Sequence, residues 1–520
     1  MALTELLEMC KRSSISLSVE DGDLRIKGKK SAVSAELVAA LRDNKQALIA
    51  WLAVEDGDIP HADRSLPLPL SFAQQRLWFI DQMEAGSSNY NLQSRYELSG
   101  QLDAEALRRA LQGIVARHEV LRTVIISAQG QARQQVRDAG EIEFVAHDLR
   151  GLDQAARRAA LAALAEADAG RPFDLAHDVL LRAGLVRLEE QRHVLLLNLH
   201  HIVTDGWSMA LLTRELDTLY RSFSDGVPAP LAPLPVQYAD YAQWQRNRMQ
   251  GSELAPQIDY WRSQLAGLPA VHGLPLDKPR PAQQRFHGRA LAQTIDAGLL
   301  RAVQACCQRE QTTLFMFLQT ALAVLLHRYS GESDIVIGAP IAGRAHSDVE
   351  NLIGLFVNSL VLRNDLAGDP AFTTLLRQNR GMILGAYEHQ HVPFDLLVEQ
   401  LQPERSLSYS PLYQVMLTLH NTEHHALALG ELAIERLAGS HDTIKCDLEL
   451  TASVAGGELL IDWTYNVDLF EIDSIARMAS NFEQLLRAIV AVPDARIGAL
   501  PVLADDERHT LLHAWNDTDV

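Results

Sequence analysis

The stretch "HVLLLNLHHIVTDGWSMALL", residues 193–212, changes its hydrophobic period within a few positions, and that change limits what the chain can become. "HVLLLNLHH" is a short continuous apolar run, the pattern of a strand buried on both faces. Beyond Trp207, the residues Met209, Leu212, Leu216, Leu219 and Phe223 recur at intervals of three and four, the stripe of an amphipathic helix. A buried strand feeding directly into such a helix predicts an α/β chain of the α+β type. The junction carries His200, His201, Asp205 and Gly206. Successive side chains on a strand point to opposite faces. One histidine is therefore expected to be buried as a structural residue while the other looks into a site. Asp205 falls in the turn before the helix, where a carboxylate can accept hydrogen bonds from helix-start amides or pair with an arginine.

Other chemistries lose weight. Zinc needs three or four converging ligands, which adjacent histidines on opposite faces supply poorly, and no metal is expected. The chain has no G-x-x-x-x-G-K-[ST], G-x-G-x-x-G or G-x-S-x-G element, which disfavours nucleotide hydrolysis, dinucleotide redox and serine-hydrolase chemistry. With 66 acidic against 47 basic residues the formal charge is −19, and phosphate-coating proteins need the opposite sign. Of the four cysteines, Cys10, Cys306, Cys307 and Cys446, none has C-x-x-C spacing. The adjacent pair sits in a helix-like apolar stretch and reads as reduced core. No segment approaches the ~20 apolar residues of a membrane span. The N-terminus lacks the basic start and apolar run of a signal peptide. A cytoplasmic protein is expected.

A chain of 520 residues predicts several units. Residues 1–55 read as a small one. A helical "ALTELLEMCKR" precedes "SISLSVEDGDLRIKG", a β-hairpin around Asp21-Gly22, and a helical "AELVAALRDNKQALIAWL" follows. The second hairpin strand is basic, with Arg25, Lys27, Lys29 and Lys30. Such charges suit a solvated edge that resists strand pairing, or a docking face for an acidic peptide. Residues 56–66 read as a linker. Beyond it, helices such as "DAEALRRALQGIVARHEVL", capped by Asp103, alternate with strands such as "DIVIGAPIAG". Two halves of similar size, 67–267 and 268–495, are expected around the proline-rich "GLPLDKPRPAQQ".

"HHIVTDG" matches the HHxxxDG motif of nonribosomal peptide synthetase condensation domains and their acyltransferase relatives. Six further segments resemble that family's motifs in the family's order. They are "SFAQQRLWFI" (71–80), "RHEVLRTVI" (117–125), "YADYAQW" (238–244), "IGLFVNSLV" (353–361), "HVPFDLLVEQL" (391–401) and "SYSPLYQVML" (408–417). The first 55 residues resemble a TubC-type docking domain, which favours the docking use of the basic strand. Residues 496–520 resemble the linker toward an adenylation domain, as though the chain were part of a longer synthetase.

The resemblance implies two chloramphenicol-acetyltransferase-like lobes in a V-shaped pseudo-dimer, with a tunnel between them. It implies a donor acyl or peptidyl thioester and an aminoacyl acceptor, each presented on a carrier protein's phosphopantetheine, joined as an amide without bound cofactor. The implied partners are donor and acceptor carriers, an upstream synthetase's C-terminal tail and an adenylation domain, with neither nucleic acid nor membrane. His201 is assigned the proton or positioning role, and His200 the structural one. Asp205 holds the loop with Arg117 or Arg122, and Gly206 allows close backbone approach. Trp207 and Ser208 pack at the helix start, and Asn358 faces the tunnel. A starter domain taking its acyl group from coenzyme A is the main rival. An epimerisation domain would follow its own carrier. A heterocyclisation domain would replace the histidines with aspartates. An inactive docking scaffold would not need an intact HHIVTDG.

Overall fold

The computed structural model describes residues 16–20, 23–27 and 59–510, apart from 85, 129, 139, 251–253, 405, 421–426, 438–441 and 504–507. In the N-terminal unit the backbone of β1 (Ser16–Glu20) pairs antiparallel with β2 (Asp23–Lys27), with Glu20 opposite Asp23. This is the expected hairpin, closed by a two-residue connection. The expected flanking helices, Lys29 and Lys30 lie outside the described residues.

A five-stranded sheet organises the first half. Its strands are β4 (Asn91–Ser99), β7 (Glu143–Asp148), β8 (Leu181–Glu189) and β9 (Arg192–His200), with β14 (Ala433–Leu437) arriving from far along the chain. The order is β14-β4-β9-β8-β7, so β9 is central. Every residue of β9 after Arg192 is buried, as its unbroken apolar run requires. β3 (Leu68–Pro69), β5 (Thr123–Ala128) and β6 (Gln131–Val136) form a small separate sheet. The helices of this half are α1 (Phe72–Met83), α2 (Ala104–Arg117), α3 (Gln154–Gly170), α4 (Gly206–Asp225) and α5 (Tyr238–Arg248). Asp103 caps α2 by accepting from the Ala106 amide, as the sequence predicts.

The second half is built on seven strands in the order β12-β11-β13-β16-β17-β10-β15. These are β10 (His287–Ile295), β11 (Asp334–Ile341), β12 (Asn358–Asp365), β13 (Val415–His420), β15 (Asp442–Thr443), β16 (Leu448–Ala455) and β17 (Glu458–Asn466). After α6 (Leu254–Gln264), its helices are α7 (Ala297–Glu310), α8 (Leu314–Ser330), α9 (Phe372–Glu388), α10 (Phe394–Leu401) and α11 (Ile472–Ala491). Buried residues of α7, α8, α9 and α11 share one core with the sheet. Cys306, Cys307 and Cys446 are free, buried thiols, and burial raises all three above their ordinary range.

Two stretches of the second half leave that core. Val349, Leu352, Ile353, Leu355 and Phe356, and later Leu427 and Leu429, are buried in the core of the first half. β14 then pairs antiparallel with β4, Ala433 opposite Ser99. The halves are thus laced together at two places, and the first of these carries the site.

Candidate active site at the end of the central strand

β9 ends at His200, and the chain turns through a single 3₁₀ turn, His201–Val203, before α4 begins. His201 therefore lies outside the strand, and the turn rather than strand alternation sets it apart from His200. His200 is 3% exposed and its Nδ1 accepts from the Ile202 amide. Its ring lies edge-on to Phe173 at 6.1 Å. Burial first, then the proximity of His201, Lys445 and Arg182, pushes its pKa down to about 3. It is a neutral packing residue.

His201 is half-buried. Its backbone amide donates to the Tyr90 carbonyl at 2.8 Å, which fixes the main chain. Its ring Nδ1 lies 2.7 Å from the Thr204 carbonyl oxygen. A carbonyl can only accept, so Nδ1 carries the hydrogen and Nε2 is left with the lone pair. Burial lowers the pKa of His201, against the opposing pull of the Thr204 carbonyl and Asp205. A neutral imidazole in this tautomer is a base at Nε2.

Asp205 is saturated with partners. It caps α4 through the Ser208 amide at 2.8 Å, accepts from the Phe356 amide at 2.9 Å, and meets Arg344 at 3.3 Å. Both side chains of that pair are almost wholly buried. Arg344 also donates to Ser208 Oγ at 2.7 Å and to the carbonyls of Val349 and Leu352. Ser208 Oγ in turn donates to the Gly354 carbonyl at 2.8 Å. The Asp-Gly end of the motif therefore fastens the crossing loop, residues 349–356, to the first half.

The neighbouring motifs converge on the same loop. Ser71 caps α1 and its Oγ lies 2.8 Å from the Tyr238 hydroxyl, which donates to the Leu355 carbonyl at 2.7 Å. A Cβ on Gly354 would fall 2.1 Å from the Tyr238 ring, so only glycine fits there. His118 Nδ1 accepts from the Ile353 amide at 3.3 Å.

Several expected roles change. The arginine that meets Asp205 is Arg344. Arg117 pairs with Glu215 at 3.1 Å, and Arg122 donates to the Arg137 carbonyl. Glu215 in turn lies 2.7 Å from His118 Nε2, so Arg117 reaches the crossing loop through Glu215 and His118, while the Arg122 guanidinium is committed elsewhere. Asn358 does not present its amide to a tunnel: its two N–H groups go to the carbonyls of Gln390 and Val392, and its oxygen accepts from the Phe394 amide. It fastens the start of α10 to β12. Trp207 and Ser208 do pack at the helix start. The indole is 40% exposed and donates to the Glu350 carbonyl, while Ser208 is buried. Gly206 opens α4, and a Cβ placed on it would meet no atom within 4 Å. It faces open space and is not pressed against another part of the chain. His118 lies in the "RHEVLRTVI" segment, whereas Arg344 and Glu215 join the site without a mark of their own in the sequence. Only the general expectation of an arginine for Asp205 points toward Arg344.

A family model described as "Condensation domain" matches residues 66–512, most of the chain. The chain belongs to that family. The TubC N-terminal docking domain model matches residues 3–53. A linear gramicidin synthase protein of Brevibacillus parabrevis is 44% identical over 457 residues, which is 88% of this chain and 6% of that protein. Chondramide synthase of Chondromyces crocatus is 43% identical, over 88% of this chain and 12% of that protein. The chain thus spans a small fraction of the curated relatives it matches. Among solved structures, the X-domain from teicoplanin biosynthesis is 30% identical with a TM-score of 0.78, covering 86% of this chain and all of the other. The first condensation domain of the calcium-dependent antibiotic synthetase shares the fold at 19% identity and a TM-score of 0.70. This is a nonribosomal peptide synthetase condensation domain of the chloramphenicol-acetyltransferase-like fold. Among the described residues, no helix is long and apolar enough to cross a membrane.

Proposed function

We propose that this condensation domain joins a donor acyl or peptidyl thioester to the amine of an aminoacyl thioester, both delivered on carrier-protein phosphopantetheine. The observation that carries this reading is the tautomer of His201, with Nδ1 held by Thr204 and Nε2 left basic. The acceptor amine attacks the donor carbonyl carbon, and a C–N bond forms. The nitrogen's extra proton passes to His201 Nε2, the C–S bond breaks, and the departing thiolate takes a proton to leave as thiol. A thioester is already activated, so no covalent enzyme intermediate is needed. Alignment of the two substrates supplies much of the acceleration, and a base near neutrality adds about 10²–10⁴-fold. The open space at Gly206 is where a substrate can pass against the backbone.

The docking-domain match favours a donor arriving on a separate upstream chain, recognised by its acidic C-terminal tail along the basic strand that carries Arg25 and Lys27. The setting is cytoplasmic, with an adenylation domain loading the acceptor carrier. The test loads the acceptor carrier with its amino acid. It then offers an acyl-coenzyme A and a carrier-bound peptidyl thioester in parallel, and reads the acceptor's intact mass. A gain from the carrier-bound donor alone is expected. A gain from acyl-coenzyme A alone makes this a starter domain, and no gain from either overturns the reading.

A further inference from the structure

The segment between β15 and β16 brings one cation to the histidines from the opposite half. Lys445 Nζ lies 4.0 Å from the centre of the Tyr90 ring and 4.8 Å from that of Phe286. It donates to the Asn89 carbonyl. Tyr90 is the residue whose own carbonyl receives the His201 backbone amide, and its ring is 6.4 Å from that of His200. One side chain thus grips both ends of the dipeptide that anchors the catalytic turn. It does so across the boundary between the halves.

We propose, resting on the amide-forming reading above, that Lys445 is a positioning residue for His201: it fixes the Asn89–Tyr90 anchor of the catalytic turn and holds an ammonium group beside the histidine pair from the opposite half. A cation near a histidine disfavours the imidazolium, because the two like charges repel. An ammonium seated on aromatic faces keeps that charge close in a poorly solvated place. Burial brings Lys445 itself down to about 8, with Glu84 opposing and Arg76 assisting, so it is still charged at neutral pH. Among the described residues, the charged and titratable groups facing this cluster are Glu84, Arg76, Tyr90 and Asp395 on the lysine side. On the histidine side they are Asp205 and Arg182. Asp205 favours the imidazolium, and Lys445 opposes it.

The test is the pH profile of amide formation in the full chain with loaded carriers, for the parent, Lys445→Gln and Lys445→Arg. The acid limb carries the titration of His201 and of the acceptor amine; the amine is common to all three proteins, so a difference between their limbs belongs to His201. Removing the cation should move that limb upward by about half a pH unit, and Lys445→Arg should leave it where the parent has it. A Lys445→Gln protein that turns over with the parent's acid limb overturns the proposal. If that variant does not fold, Tyr90→Leu removes the seat of the ammonium and should give the same upward move; an unmoved limb there overturns it too. A parent with no turnover defeats the amide-forming reading and this role with it, whereas an active parent with unmoved variants defeats the lysine's role alone.

Discussion

Two strands of this molecule end alike. In the first half β9 closes with "LNLH", and in the second β13 closes with "LTLH". Both lie inside their sheets and both carry a histidine at the last position, His200 and His420. The first leads through a 3₁₀ turn into an Asp-Gly helix start that is clasped to the opposite half. After the second, Leu427 and Leu429 are buried in the other core and β14 joins the other sheet. A histidine at a strand end is therefore not a site by itself. The site needs the clasp that follows it, which holds the turn, the helix and the crossing loop in one geometry.

The largest effect that can break this comparison is loss of the clasp. Asp205→Ala leaves Arg344 buried without its counter-charge and uncaps α4. We expect destabilisation of about 3–5 kcal/mol, the usual cost of orphaning one member of a buried pair, with activity lost as well. Denaturant unfolding checks it, and an unchanged midpoint would show that the loop is held by other means. Gly206→Ala should separate the two functions. The methyl group meets no protein atom, so stability should stay within about 0.5 kcal/mol. Turnover should fall roughly tenfold to a hundredfold if substrate passes there, and full turnover would remove substrate from that space.

A smaller effect is the pH dependence of stability. His200 is depressed to about 3 in the fold and titrates near 6.5 when unfolded. Between those values the unfolded chain binds more protons, so stability rises with pH there. The contribution is complete above about 6.5 and is lost as pH falls toward 3. Unfolding midpoints of the parent between pH 4 and 7 should slope more steeply than those of His200→Gln. Equal slopes would mean that His200 is not buried neutral. The smallest effect is at the matching strand end: His420→Ala should change turnover less than about twofold, within the range of substitutions away from any clasp. A large loss would give the second strand end a part in the chemistry.

Much of this was legible in the sequence because the signals are local. The apolar run of β9, the helical spacing of α4, the cap at Asp103 and the hairpin around Asp21-Gly22 each follow from neighbouring residues. The different fates of His200 and His201 were expected from strand alternation, but the strand stops at His200 and it is the 3₁₀ turn that carries His201 away. The arginine partner of Asp205 was not legible. Arg344 lies 139 residues away, and nothing in its own surroundings marks it as the counter-charge. Asn358 was misplaced for a similar reason: its partners, Gln390, Val392 and Phe394, are distant carbonyls and an amide that composition does not reveal. The crossing of residues 349–356 into the other core is likewise a tertiary fact, written in apolar residues that would serve either core.

The central claim is that the motif divides its labour, with Asp205 fastening the halves and His201 handling the proton. The most direct measurement takes His201→Ala and follows denaturant unfolding and amide formation on the same preparation. The account predicts an unfolding midpoint close to the parent's, because the clasp is untouched and the backbone bond of residue 201 to Tyr90 remains, with product formation down about 10²–10⁴-fold. Parent-like product formation from the folded variant, or loss of the fold itself, would contradict it.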